Sequence, residues 1–294
     1  MKNLLLVINP RAGKRKICEH LSDVISLFDR AGYRVECYMT EGQGDATEAV
    51  KRFASGKDLV VAAGGDGTLN EVLRGLYLLG EEIPVGYIPA GSTNDFASTL
   101  GLSGDIITAT TDIIAGFPHS YDIGRFGDRC FSYIASFGAF TKASYSTPQD
   151  LKNALGHLAY ILEGIKEISQ IHPRHMTLEL DGRVISDDFL FVGICNATSI
   201  GGLFTLDKER VDLSDGLFEV ILIRSPRTLS ELSECINAVT QQNLDDSYMV
   251  RLYRASKIKV ETDPTIPWSL DGEMAEGGES IEIENLQGRL TLIH

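Results

Sequence analysis

Paired cysteines, long apolar runs and an excess of positive charge are all missing from this 294-residue chain. The five cysteines, Cys18, Cys37, Cys130, Cys195 and Cys235, are scattered without a CxxC pair. That spacing argues against a disulfide framework or a zinc site and leaves them as reduced core or surface residues. No uninterrupted apolar stretch approaches the length of a membrane span. Lysine and arginine number 27 against 41 aspartates and glutamates, a formal charge of −14. A surplus of that sign argues against nucleic acid as a partner and against simple electrostatic attachment to an anionic membrane. Any membrane contact would need a local basic or apolar patch. Neither an internal repeat nor a low-complexity segment stands out. The first residues read as a strand rather than a signal peptide, because the apolar run is short and Asn9 and Pro10 interrupt it. A cytoplasmic protein is expected, with enough length for two domains.

What is present begins with alternating strand and helix patterns. Residues 4–8, 33–38, 59–63 and 85–88 are short apolar or β-branched runs, and each leads into a polar or glycine-rich segment and then an amphipathic helix. Four βα units in succession predict a parallel sheet with right-handed crossovers. In such sheets ligands bind beyond the carboxyl ends of the strands. Those ends read NPRAGK, MTEG, GGDGT and PAGSTND, a coincidence more specific than any one of them. In the third, Gly64, Gly65 and Gly67 allow close backbone approach, and Leu69, Val72, Leu73 and Leu76 mark a helix whose N-terminal amides favour an anion. Asp66 is the odd residue in a phosphate cradle. It suits a metal ion, a metal-bound water or a sugar hydroxyl, or else it caps a tight strand-to-helix turn. Arg11, Lys14, Arg15 and Lys16 either meet phosphates or form a solvated helix start; their spacing is not that of a Walker A loop.

From Tyr121 onward strand-like segments dominate, interrupted by helical patterns over residues 151–168 and 229–239, so an antiparallel β domain follows the α/β one with a boundary near 117–120. Residues 130–137 read as one strand, 183–186 and 189–195 as two, and 289–293 as a last strand that returns to the first domain. Asp181-Gly182 signals a hairpin. His172 and His175 form an HxxH, which is either a metal pair or a strand entrance around Pro173. In VDLSDG, Asp212 and Asp215 either ligate a hard cation or make an ordinary Asp-Gly turn. In LDGE, Asp271 and Glu273 offer a carboxylate for general-base work or simply flank a hairpin turn.

Taken together, NPRAG, GGDGTLNEVLRGL, IPAGSTNDFA, YDIG, VDLSDG and LDGE resemble the diacylglycerol kinase catalytic-domain family, in particular its soluble bacterial lipid kinases, with sphingosine and ceramide kinases as distant relatives. The likeness runs nearly end to end. Ser92 stands where the family commonly has threonine. The resemblance implies an α/β nucleotide-binding domain like that of NAD kinases and phosphofructokinases (residues 1–120 plus a C-terminal strand, 286–294). It also implies a β-sandwich domain (121–285), with ATP in the cleft between the two. On matching positions, Asn9, Pro10, Arg11, Ala12, Gly13, Thr40, Gly64, Gly65, Asp66, Gly67, Thr68, Leu69, Asn70 and Ser92 would bind ATP. Asp212, Asp215 and the Leu217 carbonyl would hold a structural Mg2+, linked through ordered water to Asp122. Glu273 would be the catalytic base, and Asp66 would orient catalytic magnesium or its water. The implied activity is ATP-dependent phosphorylation of a lipid hydroxyl, diacylglycerol by default, at a membrane surface. An NAD kinase-like enzyme and a non-catalytic nucleotide- or lipid-binding regulator are the alternatives. Phe137, Phe140, Leu203 and Phe204 are candidate walls of a lipid site or core residues. The family includes homodimers, an association this sequence does not itself disclose.

Overall fold

Leu4 to Ile8 have no exposed surface, as a strand covered on both faces requires, and they form the centre of the first of two units. The computed structural model describes residues 1–92, 94–138, 174–200, 204–206, 211–241, 244 and 247–294. These divide into a first unit, Met1–Ile123 with Gln287–His294, and a second, Gly124–Leu286. The predicted helix over 151–168 and residues Thr93, Phe140, His172 and Leu203 lie outside the described residues, as does the side chain of Phe204.

In the first unit, strand β1 (Lys2–Ile8) pairs in parallel with β2 (Tyr33–Met39) on one side and with β3 (Leu59–Gly64) on the other. β3 then pairs in parallel with β4 (Val85–Pro89), and Leu292 of the returning C-terminal strand lies parallel beside Val85. The connections are α1 (Lys16–Arg30) after a 3-10 turn at Ala12–Arg15, α2 (Asp45–Phe53) and α3 (Asp66–Leu79). Gly75 lets α2 and α3 close on each other, since a Cβ there would lie 2.6 Å from that of Val50. That packing offsets the helix propensity glycine forfeits, about 1 kcal/mol. The helical pattern after β4 breaks into α4 (Asp95–Leu100) and α5 (Ile106–Ala115). Gly101, with φ +70°, ends the first, and the Asp105 carboxylate caps the second by accepting from the Thr108 amide. β5 (Pro118–Phe126) carries the chain out of this unit.

The second unit is antiparallel. β6 (Arg129–Phe131) returns along β5, and β7 (Ile134–Gly138) pairs with β9 (Arg183–Cys195), which also pairs with β8 (Arg174–Leu180). The short ribbon β10 (Ser199–Ile200) and β11 (Phe204–Thr205) is followed by β12 (Phe218–Arg224), which lies against β9. Helix α6 (Leu229–Gln241) leads to β13 (Val250–Ala255), beside β12, and β14 (Lys257–Glu261), beside β8. β15 (Trp268–Leu270) and β16 (Glu273–Ala275) form a hairpin, and β17 (Ser280–Ile293) starts beside β14 before crossing to the first unit at Leu286. Alternating inward side chains, among them Phe131, Phe189, Phe218 and Trp268, fill the core.

Three boundaries differ from the sequence reading. The single strand expected over 130–137 is two, because the amides of Ser132, Tyr133 and Ile134 turn away to a carboxylate. The two strands expected over 183–195 are one, because Asp187 and Asp188 stay in the ladder opposite Met176 and His175. The last strand, expected over 289–293, begins earlier and runs unbroken over Ser280–Ile293.

Candidate active site

β1 leads toward β2, whereas β3, its neighbour on the other side, leads away toward β4. The carboxyl ends of β1 and β3 therefore flank the point where the winding of the sheet reverses, which is where open α/β sheets leave a crevice. The Asn9 amide donates to Ala63 O at 2.9 Å and its side chain to Thr68 Oγ1 at 3.2 Å, which ties the first loop to the third. Asn9 Oδ1 also accepts from the Arg11 amide at 3.0 Å, curling Pro10 and Ala12 into a turn. The fourth loop joins through Ala90 N and Gly64 O, 2.7 Å apart. Glycine is required by contact here: a Cβ on Gly13, at φ +45°, would run into the Ala90 carbonyl, and one on Gly91 would meet Gly65 Cα. The glycines thus interlock three loops into one frame. Thr40, nearly buried, continues the ladder by donating its amide to Ile8 O at 2.8 Å. Thr68, Leu69 and Asn70 are buried in the first turn of α3, while Arg11 and Ser92 are exposed. The N-terminus of α3, behind Gly65, has no side-chain cap, and its dipole favours negative charge.

Asp66 does not cap its own helix. Its two carboxylate oxygens accept from the amides of Asp95 (2.9 Å) and Phe96 (3.2 Å), the first turn of α4. Tyr87 lies buried beneath it with its hydroxyl 3.4 Å from Asn94 Oδ1. Burial, followed by the charges of Asp66 and Asp95, pushes the Tyr87 phenol well above its ordinary range. Asn94 holds a left-handed conformation, φ +53°, and clasps Gly91 through both ends of its amide. A turn further along α3, Glu71 accepts from Gly44 N (2.7 Å) and Ala46 N (3.0 Å) at the start of α2. One helix therefore lends a carboxylate to each of two neighbours.

In the second unit the LDGE segment is a two-residue hairpin. Asp271 and Gly272 take φ +49° and +89°, the pairing that a primed turn needs, and Leu270 faces Glu273 across it. The two carboxylates separate sharply in role. Asp271 is buried and accepts from Ser132 N (2.5 Å), Ser132 Oγ (2.8 Å), Tyr133 N and Ile134 N (both 3.0 Å). Glu273 keeps 23% of its side chain exposed and faces the Arg129 guanidinium at 3.7 Å.

The VDLSDG turn is held by its own aspartates. Asp212 Oδ1 accepts from the Ser214 amide and hydroxyl, and Asp215 Oδ1 from the Leu217 amide at 2.9 Å. The other Asp215 oxygen pairs with Arg254, which also lies 3.5 Å from Glu219. Both Glu219 carboxylate oxygens are buried without a hydrogen-bond partner, and burial, only partly offset by Arg254, pushes this carboxyl up to about 7. Among the described residues of the turn, Asp212 and Asp215 offer carboxylate oxygens with Arg254 as the guanidinium beside them, a donor set of the oxygen type that hard divalent cations take. Asp212, Asp215 and the Leu217 carbonyl suit such an ion chemically. Among the described residues, however, no three His, Cys, Asp or Glu side chains converge into a ready metal-binding group. Asp122 belongs to the first unit, fully buried, where it accepts from the Gly288 amide at 2.8 Å.

Residues 3–126 match the family described as diacylglycerol kinase catalytic domain, and residues 135–294 match the one described as YegS C-terminal NAD kinase beta sandwich-like domain. A diacylglycerol kinase of Bacillus subtilis (strain 168) is 33% identical over 275 residues, covering 93% of this chain and 90% of the relative. The chain belongs to the diacylglycerol kinase family. A second relative, the diacylglycerol kinase of Staphylococcus aureus (strain MRSA252), is also 33% identical, over 92% of this chain and 86% of its own. The crystal structure of a diacylglycerol kinase from Bacillus anthracis str. Sterne superimposes with a TM-score of 0.77 at 25% identity, covering all of this chain and 97% of that one. The protein is thus a kinase, with an α/β domain and an antiparallel β-sandwich domain. No helix among its described residues is long and apolar enough to cross a membrane.

Several residues of this kinase that the sequence reading passed over shape these segments: Glu71 and Asn94 brace the loops of the first unit, and in the second Arg129 and Ser132 hold the hairpin while Glu219 lies buried near Arg254. Only Glu71 and Asn94 carried a signal, since they lie inside the glycine-rich motifs, while the others act on partners far away in the chain. Of the HxxH pair, His172 lies outside the described residues and His175 has a partner on each ring nitrogen. It lies on β8, with Nδ1 3.0 Å from Asp188 Oδ1 and Nε2 3.2 Å from Ser186 Oγ. Phe137, a candidate lipid wall, packs in the core against Trp268.

Proposed function

We propose that this kinase transfers the γ-phosphate of ATP to the hydroxyl of a lipid such as diacylglycerol, with Glu273 as general base. The observation that carries the base assignment is the contrast within the hairpin: four donors occupy Asp271, whereas Glu273, two residues on, is partly exposed. Phosphoryl transfer depends on positioning and charge neutralisation more than on covalent help from the protein. The interlocked loops of the first unit, with the uncapped start of α3 behind them, suit a polyphosphate donor, and Asn9 to Gly13, Thr40, Gly64 to Asn70 and Ser92 are assigned to ATP. A lipid hydroxyl is a weak nucleophile. In the proposed step its oxygen attacks the γ-phosphorus as the bond to the β-γ bridging oxygen breaks, ADP leaves, and the hydroxyl proton passes to a Glu273 oxygen. Asp66 keeps the third and fourth loops in register through its bonds to α4, and its charge is assigned to ordering the groups around the phosphates. Asp212, Asp215 and the Leu217 carbonyl would hold Mg2+, a hard cation suited to their oxygen donors. The names of the relatives support diacylglycerol as acceptor.

Incubating the purified chain with ATP labelled at the γ-phosphate, a panel of lipids in detergent micelles and NAD tests this reading. Label is expected on diacylglycerol, and Glu273→Gln is expected to lose turnover while unfolding like the parent. Label on NAD alone, or none at all, would overturn the lipid kinase reading, and near-normal turnover by Glu273→Gln would remove Glu273 as the base.

A further inference from the structure

Glu273 is gripped on both sides by one short segment of the second unit. Two residues before it, the Asp271 carboxylate is bound by the amides of Ser132, Tyr133 and Ile134. One residue after it, the Met274 carbonyl accepts from Arg129 Nη1 at 2.8 Å. The second arm of the same guanidinium, Nη2, lies 3.7 Å from Glu273 Oε2. Residues 129–134 therefore clamp the hairpin, and the clamp places its only cation against the carboxylate assigned to proton transfer. Arg129 is itself well anchored. It opens β6, paired with Phe126 across the turn at Gly127, φ +57°, and the next two residues, Cys130 and Phe131, are buried. With 22% of its side chain exposed, the guanidinium is partly withdrawn from solvent, where its charge is screened less than on an open surface.

We propose that Arg129 is a positioning residue for the general base: its guanidinium bridges the Met274 carbonyl and the Glu273 carboxylate, fixing the orientation of the latter and keeping it ionised until the acceptor proton arrives. A nearby cation favours the charged form of a carboxylate, and a planar guanidinium can serve two acceptors at once where an ammonium cannot. The inference rests on Glu273 being the base, and its test separates the two.

The experiment measures turnover of diacylglycerol in detergent micelles against pH for the parent, Arg129→Gln, Arg129→Lys and Glu273→Gln. Arg129→Gln is expected to lower kcat at least about tenfold, as displaced reacting groups do, with KM for ATP unchanged. It should also move the acidic limb of the rate profile up by about one pH unit, because the carboxylate would protonate more readily without its cation. Arg129→Lys should restore the position of the limb and only part of kcat. A structural role alone would not move the limb. An acidic limb at its parental position in Arg129→Gln, with Glu273→Gln inactive, would overturn the positioning role and leave the base assignment standing. Parental activity in Glu273→Gln would overturn both.

Discussion

Replacing Asp66 by alanine removes both acceptors from the first turn of α4 at a stroke. The Asp95 and Phe96 amides now donate to separate oxygens of one carboxylate, at 2.9 and 3.2 Å. Hydrogen bonds to an ionised group contribute about 1.5–3 kcal/mol each, and charge at a helix N-terminus about 0.3–1 kcal/mol. Because α4 has only six residues, it has few other bonds to keep it closed. Since about 1.4 kcal/mol is a factor of ten, each of these amides should exchange with solvent roughly 10- to 100-fold faster in Asp66→Ala. Amide hydrogen exchange resolved at Asp95 and Phe96 is the assay, with the protected amides of β1 as the internal control. Asp66→Asn keeps one acceptor oxygen and should release one of the two amides more than the other. If exchange at both positions in Asp66→Ala stays within twofold of the parent, the capping role is wrong. Kinetics on the same variants then divides the functions of this side chain: lost turnover with parental exchange in Asp66→Asn would place its charge at the phosphates, and lost turnover together with a loosened α4 would place it in the frame.

Asp271→Ala strands three amides and a hydroxyl that now converge on one buried carboxylate, so its urea midpoint should fall by an amount equivalent to about 3–5 kcal/mol. A loss below about 1 kcal/mol would contradict the anchoring role. Tyr87 supplies a pH test. Burial and the neighbouring carboxylates raise its phenol pKa, so the folded chain holds that proton more tightly than the unfolded one. Its contribution is complete below the unfolded value near 10 and is lost as pH rises above it; Tyr87→Phe should flatten the fall of stability in that range, and an unchanged slope in alkaline unfolding curves would count against it.

The parts of the fold that are legible in the sequence are those that recur locally. The apolar runs at residues 4–8, 59–63 and 85–88 announce buried parallel strands because both faces of each are covered, and the strand-end motifs announce glycine-rich loops that pack closely on one another. Asp271-Gly272 announces a hairpin because few residue pairs accept positive φ twice. Helical periodicity misses the interruption at Gly101, where the apolar pattern runs on while the backbone turns left-handed. It also misses the split after Phe131, which is caused by a carboxylate 139 residues away from Ser132.

By itself, then, the sequence determined the alternation of strand and helix, the change to antiparallel strands, the glycine-rich loops proposed to carry phosphate and the short set of carboxylates worth considering. Only the tertiary structure decided how those carboxylates are employed. Asp66 and Asp271 look equally suited to chemistry when read in line and Glu71 draws no notice, yet each of the three is turned toward backbone amides of another element, whereas Glu273 is partly exposed beside Arg129. The reason is that the role of a carboxylate depends on which donors surround it. Those donors lie 25 to 139 residues distant for the three that cap or anchor, beyond the reach of any local pattern.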